Sequence, residues 1–525
     1  MLRIDYLSPL PPVRSGISDY SVDLLPQLSA LADVRVMQLP ELPLDPELAA
    51  RYSPADASLT GEDGRIPVYH MGNNRYHAAI FRLAMERPGI LVLHDLVLHH
   101  FLLDQTVGKG EFEPYRRILR ANHGWIGEAA AMPVRWGAFG QSAQFALPAN
   151  RTLLRRQRGV VVHGHWAAAV LSEEDPELAV RVVPMGIPLP QAIPEGSGRA
   201  FRSDWQIPPE ALLLGSFGFQ TPIKRTEVAI RVLAEPGLEG VHLLIAGELS
   251  PYSNYETLAR ELGVAERVHV TGYLPFEKLD AAIAATDLCL NLRYPTAGET
   301  SASLLRILAV GRPVAVSDYA DFGDLPHEIA LHVPLGDGEM ESLAQALRER
   351  MAMPELLHGM GLAARRFVGD RHAPSLAAAA LVAAIDELAP RAPLEDREPL
   401  PGPGGTAVHV RVPGRIEVRG VDDWAPGERR ELRVEVRNES RYRWLPSHEL
   451  PGGVIFEVQL FAAGRDIYRG RPWLSLPQAL EPGESRTFAL ELRRPDGAAR
   501  LLIKPTLHVE EGHRPLGAWE WDRWL

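Results

Sequence analysis

The chain has 525 residues, a formal net charge of −12, 46% hydrophobic residues and a single cysteine, Cys289. At about 150 residues per domain this length implies several domains, and the acidic balance argues against general nucleic-acid binding. Cys289 excludes disulfides and cysteine-based metal sites, and no apolar run reaches membrane-spanning length.

The first residues, MLRIDYLSPLPP, enter a strand directly with no charged leader, so a cytoplasmic location is expected. Leu2 to Leu7 reads as a strand, followed by a Pro/Gly-rich loop from Ser8 to Gly16 and a helix around Asp19 to Leu31. Val34–Gln38, Pro67–His70, Ile90–His94 and Gly159–His163 read as further strands of a doubly wound α/β pattern. A second series follows at Leu212–Phe217, His242–Ala246, Val268–Thr271 and Asp287–Arg293, with a last helix over Ser375–Leu388. Two such series, with a hinge near Pro184–Glu195, predict two facing Rossmann-like domains, 1–190 and 191–390, around a ligand cleft. The last helix is expected to pack back on the first domain.

Four segments carry candidate chemistry. In the first loop, Gly16 would let backbone approach a ligand closely. Leu91–His100 ends a strand with His94 and Asp95, groups able to hydrogen-bond a sugar hydroxyl or move a proton, whereas His99 and His100 read as structural. His163 and His165 lack a matching carboxylate cluster, so no metal site is expected. Gly215–Glu227 runs strand, loop, helix and places Gly218, Lys224 and Arg225 near a helix start, where charge and N–H groups together suit a diphosphate. Lysine is scarce, the others being Lys109, Lys278 and Lys504, so Lys224 stands out. The segment Asp287–Asp318 reads strand, loop, helix, turn, strand, with Gly298, Glu299, Thr300 and Ser301 in its loop. Thr300 or Ser301 is placed to cap the helix and Gly311 to end it, which makes an anion cradle at a helix start. Glu299 beside that cradle suits a ligand with hydroxyls, such as a nucleotide sugar; the alternative is an ordinary surface glutamate.

Arg116, Arg117, Arg120, Arg135, Arg151, Arg155, Arg156 and Arg158 share a stretch in which Glu128 is the only acid. It would serve either as a peripheral contact with an anionic membrane or lipid-linked acceptor, or as a set of solvated helix faces. Residues 391–405 are Pro/Gly-rich and read as a linker. From 406 to 525 the period shortens: Val408–Val412, Arg415–Arg419, Glu431–Val436, Val454–Phe461, Arg486–Leu492 and Leu501–Val509 read as strands of an antiparallel, Ig-like sandwich. Six of the ten tryptophans lie there, for core packing or for stacking on sugars.

The segments PPVRSGISDY, LHD, GFQTPIK, VTGYLP and GETSASLLRILAVGRPV together resemble the family 4 retaining glycosyltransferases of the GT-B fold, over residues 1 to 390. The resemblance implies a nucleotide-diphosphate sugar on the second domain, a glycan or lipid-linked acceptor on the first, and transfer with retention and no metal or other cofactor. Cell-surface polysaccharide or glycoconjugate synthesis would be its setting. By position, Lys224 would bind the diphosphate, with Gly16, Gly218, Arg225 and the N–H groups of Thr300 and Ser301. Gly272, Tyr273, Leu274 and Arg306 would lie on the nucleoside side, Glu299 would contact the donor sugar, and His94 and Asp95 would face the reacting sugar. Two departures stand out. Phe219 occupies the place of a usual arginine, for which Arg225 or Arg293 would substitute. Aligned on GRPV, the family's two glutamates fall at Gly298 and Arg306. A catalytically silent glycan-binding or scaffold protein, or a phosphorylase or epimerase on the same fold, remains the alternative.

Overall fold

A computed structural model of the chain describes residues 1–135, 141–190, 193–336, 338–395, 414–440, 443, 444, 446, 454–462, 465–468, 473–509, 512–515 and 521–525. The chain divides into two units, Met1–Ala407 and Val408–Leu525.

The first unit holds two parallel sheets. β1 (Arg3–Leu7), β2 (Asp33–Gln38), β3 (Ala55–Asp56), β4 (Ile66–Met71), β5 (Ile90–Leu93), β6 (Gly159–Val162) and β7 (Val180–Val182) lie in the order β3-β2-β1-β4-β5-β6-β7. β8 (Leu212–Phe217), β9 (Val241–Ala246), β10 (Val268–Gly272), β11 (Leu288–Asn291), β12 (Val314–Ser317) and β13 (Ala330–Val333) lie in the order β10-β9-β8-β11-β12-β13. The central strands are apolar runs, ILVL in β5 and LCL before Asn291 in β11, because helices cover both faces of each sheet. In both sheets the strand order reverses beside the first strand, between β1 and β4 and again between β8 and β11. That reversal opens a crevice at the carboxyl ends of the strands, where ligands of open α/β sheets bind. The edge strands β3, β7 and β13, of two to four residues, lie outside the predicted set; they are too short to show a period.

Helix Pro374–Leu388 returns to the first sheet: Leu381, Ile385 and Leu388 share one core with Ile4, Tyr20, Leu24 and Leu28. Leu305, from the second Rossmann-like domain, joins the same core. The return is anchored where the Ile187 N–H donates to His372 O (2.7 Å) and His372 Nδ1 donates to Met185 O (3.0 Å). Residues 396–405 of the predicted linker lie outside the described residues. Its first part is tied down, since Leu394 N–H donates to Arg155 O and Arg155 Nε to Glu395 O.

The second unit is an antiparallel β-sandwich. One sheet is β14 (Gly414–Arg419), β15 (Arg429–Asn438) and β19 (Ser485–Arg493). The other joins β16 (Val454–Ala462), β17 (Arg465–Asp466), β18 (Trp473–Ser475), β20 (Ala499–Val509), β21 (Gly512–Pro515) and β22 (Trp521–Trp524). The predicted strand Val408–Val412 falls outside the described residues. Alternate residues of β15, Leu432, Val434 and Val436, point inward with Trp424, Trp444, Phe456 and Leu501, as a period of two requires. Trp424 and Trp444 are therefore core residues, whereas Trp524 is exposed.

Replacing Ile385 by alanine should lower stability by about 2–5 kcal/mol, the usual cost of truncating a buried Ile side chain. A urea transition of the full chain would show the shift, and an unchanged midpoint would contradict the packing role of the returning helix.

Candidate functional site

The cleft is built where the end of β5 docks on the loop after β11. His94 N–H donates to Met71 O (2.8 Å) and Val97 N–H crosses to Ala297 O (3.0 Å). Gly298 has φ 75°, and a Cβ there would lie 2.6 Å from Leu96 side-chain atoms. Only glycine satisfies both the left-handed backbone and the close approach. The docking brings Asp95 beside Glu299. Glu299 accepts from Arg293 and, at 2.7 Å, from the Thr296 hydroxyl, while Arg293 also reaches Ser301 Oγ (3.3 Å). Ser301, not Thr300, caps helix Ala302–Val310: its hydroxyl accepts from Leu304 N–H at 3.2 Å. Gly311, with φ 88°, ends that helix.

Lys224 approaches from the loop after β8. Its ammonium donates to Phe217 O, and a Cβ on Gly218 (φ 87°) would lie 3.0 Å from Nζ, so that glycine makes room for the lysine. Burial pulls the Lys224 pKa well below its usual value, Arg293 adds to the fall, and Glu299 opposes it. Asp95 moves the other way, up to about 7, because of burial and then the Glu299 charge; the Asn73 N–H on its Oδ2 (2.8 Å) and Arg293 resist the rise. Two cations and two carboxyl groups thus share one poorly hydrated spot. Arg225 does not join them. It adopts φ 53° and makes a bidentate pair with buried Glu339, Nε to Oε1 at 2.7 Å, whereas Arg293 lies close enough to Lys224 to act on it.

Beside this cluster lies a pocket of 590 Å3 lined by Pro11–Gly16, Gly218, Phe219, Gly247, Tyr273 and Leu274. It is formed by both domains: Gly16 lies 3.8 Å from Ala302 Cβ, measured from an added Cβ, and the Arg14 guanidinium stands 5.7 Å from the Tyr273 ring centre. Phe219 and Tyr273 are 55% and 56% exposed, unusual for aromatics and suited to stacking on a ring. Gly272 takes φ 68° just before Tyr273. Arg306 pairs with Asp280 in a bidentate contact of 2.8 and 3.0 Å. It also eases Asp19 and Asp23, which burial raises, Asp23 to about 6. Asp19 lines the pocket and was missed from sequence, although it sits within the PPVRSGISDY segment.

His94 is not presented to the cleft as a free imidazole. It is 4% exposed, and both ring nitrogens are used: Nδ1 meets His163 Nε2 (3.2 Å) and Nε2 meets His70 Nδ1 (3.1 Å). Because His163 Nδ1 must donate to Val183 O (2.8 Å), its Nε2 accepts from His94, whose own Nε2 accepts from His70. The row is neutral. Burial first, and the neighbouring imidazoles second, push His94 well below the usual histidine range. His94, expected to face the reacting sugar, lies in this buried row just before Asp95. The arginine-rich stretch is also largely used internally. Arg116 and Arg120 converge on Glu128, and Arg155 is buried with Asp175 and Glu177. Arg156 donates to Met85 O and Arg158 to Ala389 O. Among the described residues, no group of three or more His, Cys, Asp and Glu side chains is placed to hold a metal ion, and no helix is long and apolar enough to cross a membrane.

The raised Asp95 pKa has a stability consequence. The folded state binds this proton up to about pH 7, the unfolded chain only to its ordinary carboxylate value of about 3.9, so the Asp95 contribution falls as pH rises between them. Asp95→Asn should flatten that decline in urea unfolding at pH 4.5, 6 and 7.5 (about the titration window); an identical slope would refute the assignment.

Residues 208–352 match the family described as glycosyl transferases group 1. No curated protein matches the chain. Among solved structures, sucrose-phosphate synthase from Thermosynechococcus elongatus aligns with a TM-score of 0.52 at 16% identity, covering 74% of this chain and 100% of that one. WaaG, a glycosyltransferase involved in lipopolysaccharide biosynthesis, aligns with a TM-score of 0.46 at 18% identity, covering 73% and 99%. HepE from Anabaena, in complex with UDP and glucose, aligns with a TM-score of 0.49 at 14% identity, covering 74% and 100%. The paired Rossmann-like domains have the GT-B fold, and the second of them carries the match to glycosyl transferases group 1.

Proposed function

We propose that the cleft transfers a hexosyl group from a nucleoside-diphosphate sugar to a glycan or lipid-linked acceptor, with retention at the anomeric carbon. One observation carries the reading: Lys224, Arg293 and the start of helix Ala302–Val310 meet at the crevice of the second sheet, with Asp95 of the first sheet docked beside Glu299. The match of residues 208–352 to glycosyl transferases group 1 supports it.

In this reading the diphosphate lies against Gly218, Lys224 and the N–H groups of Thr300 and Ser301, with Gly16 closing over it. The nucleoside lies along Gly272, Tyr273 and Leu274, and Asp19 with Arg306 borders that side. The bond from the anomeric carbon to the phosphate oxygen breaks and its electron pair leaves with the phosphate. Lys224 and Arg293 stabilise that charge in a site of low local dielectric, where fixed charges act strongly. The acceptor oxygen bonds to the same face, and its proton passes to the departing phosphate oxygen. Glu299 already uses both oxygens, toward Arg293 and Thr296, which suits it to hold a sugar hydroxyl through its remaining lone pairs rather than to attack carbon. Asp95, poised near neutrality, is suited to orient the reacting sugar or acceptor hydroxyl.

Turnover of a panel of nucleotide sugars, with and without acceptor sugars, tests the reading. Lys224→Ala should reduce transfer by about 100-fold or more, the scale of losing one preorganised charge-stabilising group, with an unchanged circular dichroism spectrum. Near-normal turnover in that variant would sink the role given to Lys224, and binding of no nucleotide sugar would sink the whole reading.

A further inference from the structure

A second and larger pocket, of 890 Å3, lies at the opposite end of the second sheet. Its rim is set by the amino-terminal ends of the parallel strands: Leu212 opens β8, Gly240 precedes β9, Asp287 precedes β11 and Arg312 precedes β12. The strands separate it from the cleft by about 15–20 Å at roughly 3.3 Å per residue. Its walls carry four arginines, Arg199, Arg202, Arg312 and Arg350, against two carboxylates, Glu210 and Asp287. In a chain of net charge −12 this is a local reversal of sign.

The two carboxylates do not neutralise the four cations. Asp287 Oδ2 is taken by Arg202 (2.7 Å) and by the Leu213 N–H (2.7 Å), so this pair forms the wall. Arg202 is further spent on Ala285 O and Ala211 O. The other three keep donors to spare. Arg312 gives one amino group to Ala284 O. Arg350 meets Glu349 only at 3.9 Å, and its buried Nε has no partner among the described residues. Arg199 is exposed and makes no hydrogen bond or ion pair among them. Guanidiniums with free donors suit the oxygens of a phosphate, which accept in paired fashion. Between them Ile207, Pro208, Met351 and Pro354 give an apolar wall, and the volume lies within the range of small-molecule sites, about 300–1,000 Å3.

We propose that this pocket is a second ligand site, separate from the cleft, that takes a small phosphate-bearing molecule. The phosphate lies among Arg199, Arg312 and Arg350, and the rest of the molecule lies on the apolar wall.

Calorimetric titration of the full-length Lys224→Ala protein with inorganic phosphate and, separately, with AMP tests this with the cleft's lysine removed, variants of the pocket's arginines separating the pocket from what remains of the cleft. Binding is expected in that background, weakened about tenfold or more, equal to about 1.4 kcal/mol, by adding Arg199→Gln and Arg350→Gln. Because Arg350 is partly buried, the exposed single change Arg199→Gln is run beside it and should weaken binding in the same direction. AMP binding that is tighter than phosphate binding and is lost in the arginine variants assigns the site to a nucleotide-like molecule, and equal arginine-dependent affinities assign it to the phosphate group alone. Affinities untouched by both arginine variants, or absence of binding in the Lys224→Ala protein, overturn the proposal.

Discussion

The contact on which the rest of the cleft depends is the seating of Leu96 and Val97 against Ala297 and Gly298. A single interdomain backbone hydrogen bond, together with a leucine filling the space that any side chain at residue 298 would occupy, fixes how closely the end of β5 meets the loop after β11. Asp95 precedes that contact in one domain and Glu299 follows it in the other, so their separation is set by backbone rather than by flexible side chains. A second contact of the same kind lies nearby: Trp166 N–H donates to Asp321 Oδ1 (2.9 Å), and a Cβ on Gly164 would collide with that carboxylate. Two glycines on opposite domains thus mark points where the halves approach closely.

Close approach has an electrostatic consequence. Lys224 and Asp95 are each shifted toward their neutral forms by burial, while Arg293 and Glu299, linked to each other, act on both. A group of charges held this way is costly in the resting protein and strong toward a ligand that brings new charge. A diphosphate would restore a partner to Lys224, whose ammonium is now occupied by a main-chain carbonyl.

The side of the pocket near Arg306 shows a different solution. Arg306 stands where the family resemblance leads one to expect a carboxylate, yet Asp280, Asp19 and Asp23 surround it from neighbouring helices. The region is acidic, with the arginine moderating the repulsion among its carboxylates. Beneath the cleft, the row His163, His94, His70 replaces an apolar floor by neutral imidazoles whose tautomers are set in sequence from Val183 O. Such a row fixes the turn that carries Asp95 without adding charge to it.

The alternation of strands and helices, the change to a sandwich and the loops carrying Lys224 and Glu299 were legible in the sequence. These features are local: a buried parallel strand must be apolar throughout, a helix start needs a cap, and a left-handed turn needs glycine. The sequence by itself therefore determined two Rossmann-like series and the segments that end in the crevice. What it could not convey was which side chains are free. Arg225 and Arg293 look equivalent along the chain, but the Glu339 carboxylate, over a hundred residues away, holds the first while Glu299 keeps the second at the site. His94 looks available along the chain, but His70 on β4 and His163 just after β6 take both its nitrogens. Partner choice among charged and polar groups depends on distances across sheets and between domains, which only the tertiary structure sets.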